Sequence, residues 1–157
     1  MSVLVAGVGN IFLGDDGFGV EVVQRLSTMD LPDGVQVRDY GVSGMHLAFD
    51  LLDGYDTTIL VDATSRGDAP GTVYVVELDP VTEPAGSIDA HGMQPDVVLQ
   101  LLAMLGGSCD RVLLVGCEPA SVTDHMGLSP VVAAAVDTAV QTVIELVEVC
   151  DVPGHSR

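Results

Sequence analysis

The stretch "SVLVAGVGNIFLGDDGFGVEVVQRL" occupies residues 2–26. Its apolar start, 2–7, reads as a buried strand, and 16–28 reads as a helix with Val20, Val23 and Leu26 turned inward. Between them lies a glycine loop, the position at which many α/β proteins bind phosphate. This loop does not suit that use. A dinucleotide fingerprint needs a third glycine where the chain has Phe12, and a P-loop ends in G-K-[ST] where this one ends Asp15-Asp16-Gly17. Two carboxylates in that place would repel a phosphate. Asp15 has a ready structural role as an N-cap that also favours the helix dipole. A second acid beside it is harder to explain, because adjacent anions repel unless a cation joins them.

Working outward, strand and helix patterns alternate. "VQVRDY" (35–40) is a strand and "GMHLAFDLLDG" (44–54) a short helix closed by Gly54. "TTILVDA" (57–63) and "GTVYVVEL" (71–78) are strands; 94–107 is a helix with Val98, Leu101, Leu102 and Leu105 on one face. "RVLLVGC" (111–117) is a further buried strand, and 129–149 is a long final helix with Ser129 as its N-cap. Such alternation predicts a three-layer α/β sandwich with a mostly parallel sheet and helices on both faces. The connection "TSRGDAPG" is too short for a crossover helix, so strands 57–63 and 71–78 are expected to pair antiparallel through it. The chain reads as a single domain over 1–157, with an ordered core of about 3–149 and a short tail, 150–157.

The charge narrows the function. The net charge is −18, there is no lysine, and the only basic residues besides histidine are five arginines. Nucleic acid and anionic membrane surfaces are excluded as partners, since both demand clustered cations. The apolar runs "VVAAAV" and "LLAML" are core-sized rather than membrane-spanning. Without a basic, apolar leader pattern, a cytoplasmic location is expected. Cys109, Cys117 and Cys150 form no C-x-x-C pair and read as small buried or reduced thiols.

In open α/β sheets, functional groups gather beyond the carboxyl ends of the strands. Asp16, Asp39, Asp62, Cys117 and Glu118 all fall there, and His91 lies in the loop before the 94–107 helix. Each has an ordinary explanation as a cap or surface residue. Taken together, two carboxylates and an imidazole can supply an O,O,N ligand set with positions left open, suited to Ni²⁺, Zn²⁺, Mn²⁺ or Fe²⁺. No H-E-x-x-H is present, so this is not a zincin. Ser121, Asp124, His125 and Ser129 form a competing hydrolase set. It is weakened by the lack of a G-x-S-x-G elbow and by the capping position of Ser129.

"GVGNIFLGDDGFG", "DYGVSGMHL", "ILVDAT", "AHGM", "GCEP" and "HMGLSP", in that order over Val3–Val149, resemble the hydrogenase maturation endopeptidases. That resemblance implies a twisted, mostly parallel five-stranded sheet. It implies removal of a C-terminal extension from the precursor of the large subunit of a nickel–iron hydrogenase after nickel insertion. By position it assigns metal binding to Asp16, Asp62 and His91, where some relatives carry glutamate in place of Asp16. The family's D-x-G-T-x-G becomes Asp39-Tyr40-Gly41-Val42-Ser43-Gly44, with Val42 replacing threonine. On this reading nickel arrives with the substrate, and Asp39 is the candidate general base. A non-catalytic metal-binding or precursor-binding chaperone, or a small-molecule amidase or esterase, are the alternatives on the same fold.

Overall fold

The computed structural model describes residues 2–78, 95–107 and 109–150. Its strands are β1 (Val3–Val8), β2 (Val35–Gly41), β3 (Thr57–Ala63), β4 (Val73–Leu78) and β5 (Val112–Cys117); its helices are α1 (Phe18–Leu26), α2 (Gly44–Leu51), α3 (Pro95–Met104) and α4 (Pro130–Cys150). The strands form one five-stranded sheet in the order β2-β1-β3-β5-β4. Four are parallel, and β4 runs antiparallel on the edge beside β5. The helices cover both faces, as expected. α1 and α4 enclose Val3, Val5, Ile59, Val61, Leu113 and Val115 on one side. α2 and α3 enclose Leu4, Ala6, Leu60, Val112 and Leu114 on the other. Alternate residues of each strand therefore feed separate cores, which is why β1, β3 and β5 read as unbroken apolar runs.

One pairing differs from the sequence expectation. β3 and β4 are not partners, because β5 lies between them and pairs with both. The short connection is long enough to cross the end of one strand. It is pinned there by β5's own exit: Thr64 N–H donates to Cys117 O (3.1 Å), Gly71 N–H to Glu118 O (2.8 Å) and Glu118 N–H to Thr72 O (2.9 Å). The predicted apolar face of the 94–107 helix also ends early. Leu105 lies past the end of α3 and is exposed, while Val98, Leu101 and Leu102 are buried. Among the described residues α4 is the one helix long and apolar enough to cross a membrane. It lays Val132, Val136, Val140, Val143 and Val147 against the sheet and carries Asp137, Glu145 and Glu148 on its exposed side.

The first loop does not run straight into a helix at residue 16. A 3-10 turn, Gly14–Gly17, comes first, and α1 begins at Phe18 with Gly17 as N-cap and no side-chain cap. Asp15 is therefore not the N-cap expected of it. Its carboxylate is fully buried and reaches across to the segment after β5. There it accepts from Ala120 N–H (2.8 Å), Ser121 N–H (3.0 Å), Ser129 N–H (2.6 Å) and the Ser129 hydroxyl (2.9 Å). Backbone bonds add to the seam, from Gly14 N–H to His125 O (2.6 Å), Asp15 N–H to Ser121 O (2.9 Å) and His125 N–H to Phe12 O (3.1 Å). Ser129 retains the cap's backbone role, its carbonyl accepting from Ala133 N–H (2.8 Å), while its hydroxyl serves Asp15.

Close approach seats the turn on the sheet. A methyl group at Gly19 would lie 2.1 Å from Val61 O, and one at Gly9 1.9 Å from Asp16 O. These glycines, not the missing one at position 12, are where helix, turn and strand meet.

Burial alone raises the pKa of Asp15, but the four hydrogen bonds outweigh it and hold the carboxyl below its ordinary value of 3.8. A depressed pKa contributes stability above 3.8 that is lost as pH falls through the folded value. Asp15→Ala should therefore cost roughly 2–3 kcal/mol at neutral pH, for lost charge-assisted bonds. Urea melts should show the gap to the wild type closing below pH 3.8.

Candidate active site

The carboxyl ends of β1 and β3 bring Asp16 and Asp62 together. Asp62 is the penultimate residue of β3, only 3% exposed, and one of its oxygens, Oδ1, has no hydrogen-bond partner among the described residues. Burial, and then the charge of Asp16, push its pKa well above 3.8 against the opposing bond from the Ala63 backbone. Asp16 is half-buried at the 3-10 turn, with Oδ2 accepting from Asn10 N–H (2.8 Å). A dry carboxylate facing a second acid is stable only when protonated or when a cation joins the pair. The orphaned oxygen and the oxygen-only donor set thus fit a divalent cation. Among the described residues no three such side chains form a ligand cluster. His91, the expected third ligand, lies outside the described residues.

Asp39 is not part of this pair. In register it lies beside Gly7, which on its other side faces Val61. Strand alternation sends Asp39 to the α1–α4 face with Val35 and Val37, and Asp62 to the α2–α3 face with Leu60. Asp39 is exposed, and Oδ1 accepts from Gly41 N–H (2.8 Å) in a tight turn where Gly41 has φ +56°. It lines a cleft of about 320 Å³ with Gly9, Asn10, Phe12, Val20 and Val42. The Gly9–Phe12 loop lines that cleft together with Asp39, and its Asn10 N–H is given to Asp16.

The other candidates have structural roles. Glu118 is buried, and its carboxylate accepts from the Arg66 N–H (2.7 Å), Ser65 hydroxyl (2.9 Å) and Asp68 N–H (3.2 Å). Cys117 and Cys109 are buried free thiols, each pushed by that burial to about 11, so neither is a nucleophile at neutral pH. The serine set does not assemble: Ser129 gives its hydroxyl to Asp15, and Ser121 shares a hydroxyl bond with Thr123 (3.1 Å).

The family model for hydrogenase maturation proteases matches residues 20–146. The chain belongs to that family. It is 37% identical over 149 residues to the hydrogenase 2 maturation protease of Escherichia coli strain K12, covering 92% of this chain and 89% of that one. The fold superposes on the hydrogenase maturating endopeptidase HybD of E. coli with a TM-score of 0.77 at 32% identity, over 94% of this chain and 93% of that one. It superposes on the hydrogenase 2 maturation peptidase of Thaumarchaeota archaeon SCGC_AB-539-E09 with a TM-score of 0.74 at 34% identity, over 94% and 99% of the two chains. The chain is accordingly a hydrolase, an endopeptidase of hydrogenase maturation.

Two neighbours of Asp62 escape a reading by motif. Gly116 is its register partner on β5, and the ring of Tyr74 lies over that glycine, where a methyl group would be 2.5 Å from Tyr74 Cζ. The signal in the sequence was a glycine inside an otherwise apolar strand, which marks close approach.

Because the pKa of Asp62 is raised, its contribution to stability is full below 3.8 and is lost as pH rises through the folded value. Metal-free Asp62→Asn should therefore melt higher than the wild type at pH 8, with the difference shrinking toward pH 4. Adding Ni²⁺ or Zn²⁺ should raise the melting temperature of the wild type and leave the variant unmoved; differential scanning fluorimetry reads both.

Proposed function

We propose that this endopeptidase removes a C-terminal extension from the nickel-loaded precursor of a nickel–iron hydrogenase large subunit. Asp16, Asp62 and His91 recognise nickel that arrives with the substrate. The observation that carries this reading is the buried, unpartnered Oδ1 of Asp62 beside Asp16. A tight resident ion would leave nothing for the substrate to supply. A site that is costly when empty and satisfied on docking gives the loaded precursor an advantage in affinity over the unloaded one.

Proton transfer belongs, on this reading, to Asp39. Its carboxylate is exposed on a cleft of about 320 Å³, and Gly41 N–H orients it. A general base there takes a proton from the attacking water and passes it to the leaving amide nitrogen. The separation of Asp39 from the Asp16–Asp62 pair supports recognition rather than Lewis-acid chemistry as the role of the nickel.

Incubating the protein with nickel-loaded and nickel-free precursor, and following the mass shift on a gel, tests the reading. Only the loaded form should be shortened, and Asp16→Asn, Asp62→Asn and His91→Ala should each abolish the shift while leaving the circular dichroism spectrum unchanged. Asp39→Asn should bind loaded precursor and leave it uncut. Equal cleavage of both precursors removes the checkpoint; binding by the wild type without any cleavage points to a chaperone.

A further inference from the structure

The Thr64–Thr72 connection carries more organisation than a surface loop requires. Besides the three backbone bonds to the exit of β5, the Glu118 carboxylate accepts from Ser65, Arg66 and Asp68, and these bonds hold its pKa below the ordinary value. From the other side the Tyr74 hydroxyl donates to Thr64 O (2.8 Å) and also meets the Thr64 hydroxyl. The residue presented by this frame is Arg66. Its guanidinium carbon lies 4.1 Å from the centroid of the Tyr74 ring, a cation–π contact that fixes a normally floppy head group. The same ring covers Gly116, the neighbour of Asp62, and Tyr74 feels the charges of both Arg66 and Asp62.

Among the described arginines, Arg66 is the one stacked on an aromatic ring. Arg25 pairs with Asp137, Arg38 reaches Gln36 and Asp50, and Arg111 at the far end of β5 faces Glu77. Arg66 meets Asp68 at 3.6 Å as well as the Tyr74 ring, and its side chain stays 45% exposed. Asp62 and Tyr74 sit at one register level on the same face, two strand spacings or about 10 Å apart at the backbone. A cation thus stands two strands from a site whose other ionisable groups, Asp16 and Asp62, are acids. The planar guanidinium fork of Arg66 matches a carboxylate with two hydrogen bonds.

We propose that Arg66 is the anion-recognition residue of this enzyme, binding a carboxylate of the C-terminal extension, with Tyr74 and Glu118 as the positioning residues that present it. The inference rests on the proposed cleavage of such an extension. With the full chain and nickel-loaded precursor, Arg66→Gln should raise KM about tenfold or more, the worth of a charge-assisted pair, with kcat within about twofold and an unchanged melting temperature. Arg66→Lys should restore part of the loss, and Arg111→Gln should change nothing. A precursor whose extension has its Asp and Glu replaced by Asn and Gln and its terminal carboxyl amidated should raise the wild-type KM equally. On that substrate Arg66→Gln should add no further loss. Tyr74→Leu should follow the same pattern, losing its effect on the neutral extension, which a purely structural defect would not do. A wild-type KM for Arg66→Gln, or an undiminished penalty on the neutral extension, overturns the assignment. Binding of the isolated extension peptide, read by fluorescence anisotropy, separates the two claims. A wild type that leaves loaded precursor uncut refutes the proposed function, while Arg66-dependent peptide binding still decides this one.

Discussion

Asp15 accepts four hydrogen bonds from a segment that begins over a hundred residues later in the chain, and the position of everything at the carboxyl end of the sheet follows from that clamp. The bonds fix the Gly14–Gly17 turn against the exit from β5, and Gly9 and Gly19 let the turn and α1 sink onto β1 and β3. Only then does Asp16 stand close enough to Asp62 for each to act on the other. Two adjacent acids, alike in sequence, are thus opposite in use. Asp15 is saturated and holds the fold; Asp16 spends one oxygen on Asn10 N–H and faces the second acid.

The same contrast runs through the other buried acids. Glu118, like Asp15, has donors enough to stay ionised, and its pKa falls. Asp62 has an orphaned oxygen and a like charge beside it, and its pKa rises. A protein that maintains a buried acid in that state gives up stability which an apolar or amide side chain would recover, and such unrelieved groups cluster where function demands them. Hydrogen-bond satisfaction therefore separates Asp15 and Glu118 from Asp62 more sharply than burial does, since all three are buried.

Periodicity made the layers legible. β1, β3 and β5 feed two cores at once and show as unbroken apolar runs, and α1 carries Val20, Val23 and Leu26 inward at helical spacing. What periodicity could not carry was partner choice. Nothing local distinguishes a 64–72 loop that turns back on its own strand from one that crosses the end of β5, because the deciding bonds come from Cys117 and Glu118, about fifty residues away. The assignment of Asp15 to a cap failed for the same reason: its donors lie at 120–129. The proximity of Asp16 and Asp62 was legible because the strand-end rule holds whatever the long-range contacts are. Asp39 obeyed the same rule, yet strand alternation, fixed by the register of β2 against β1, turned it to the other face.

That last separation bears on how the proposed reaction divides its labour. Asp62, which with Asp16 would hold an ion, points to the α2–α3 side, whereas a base at Asp39 would work from the α1–α4 side. A substrate engaging both must reach both sides, so its metal centre and its scissile bond are tested in two places at once. Recognition at one site and proton transfer at the other are then coupled only through a correctly assembled substrate. A small amide or ester cannot span them, which favours a macromolecular precursor over a small-molecule hydrolase reading. The glycine at position 9, with φ 142° and its N–H given to Gly41 O, ties the turn beside Asp16 directly to the turn beside Asp39. A shift on either side of that bond is felt on the other through two residues of backbone, a shorter path than any through the core.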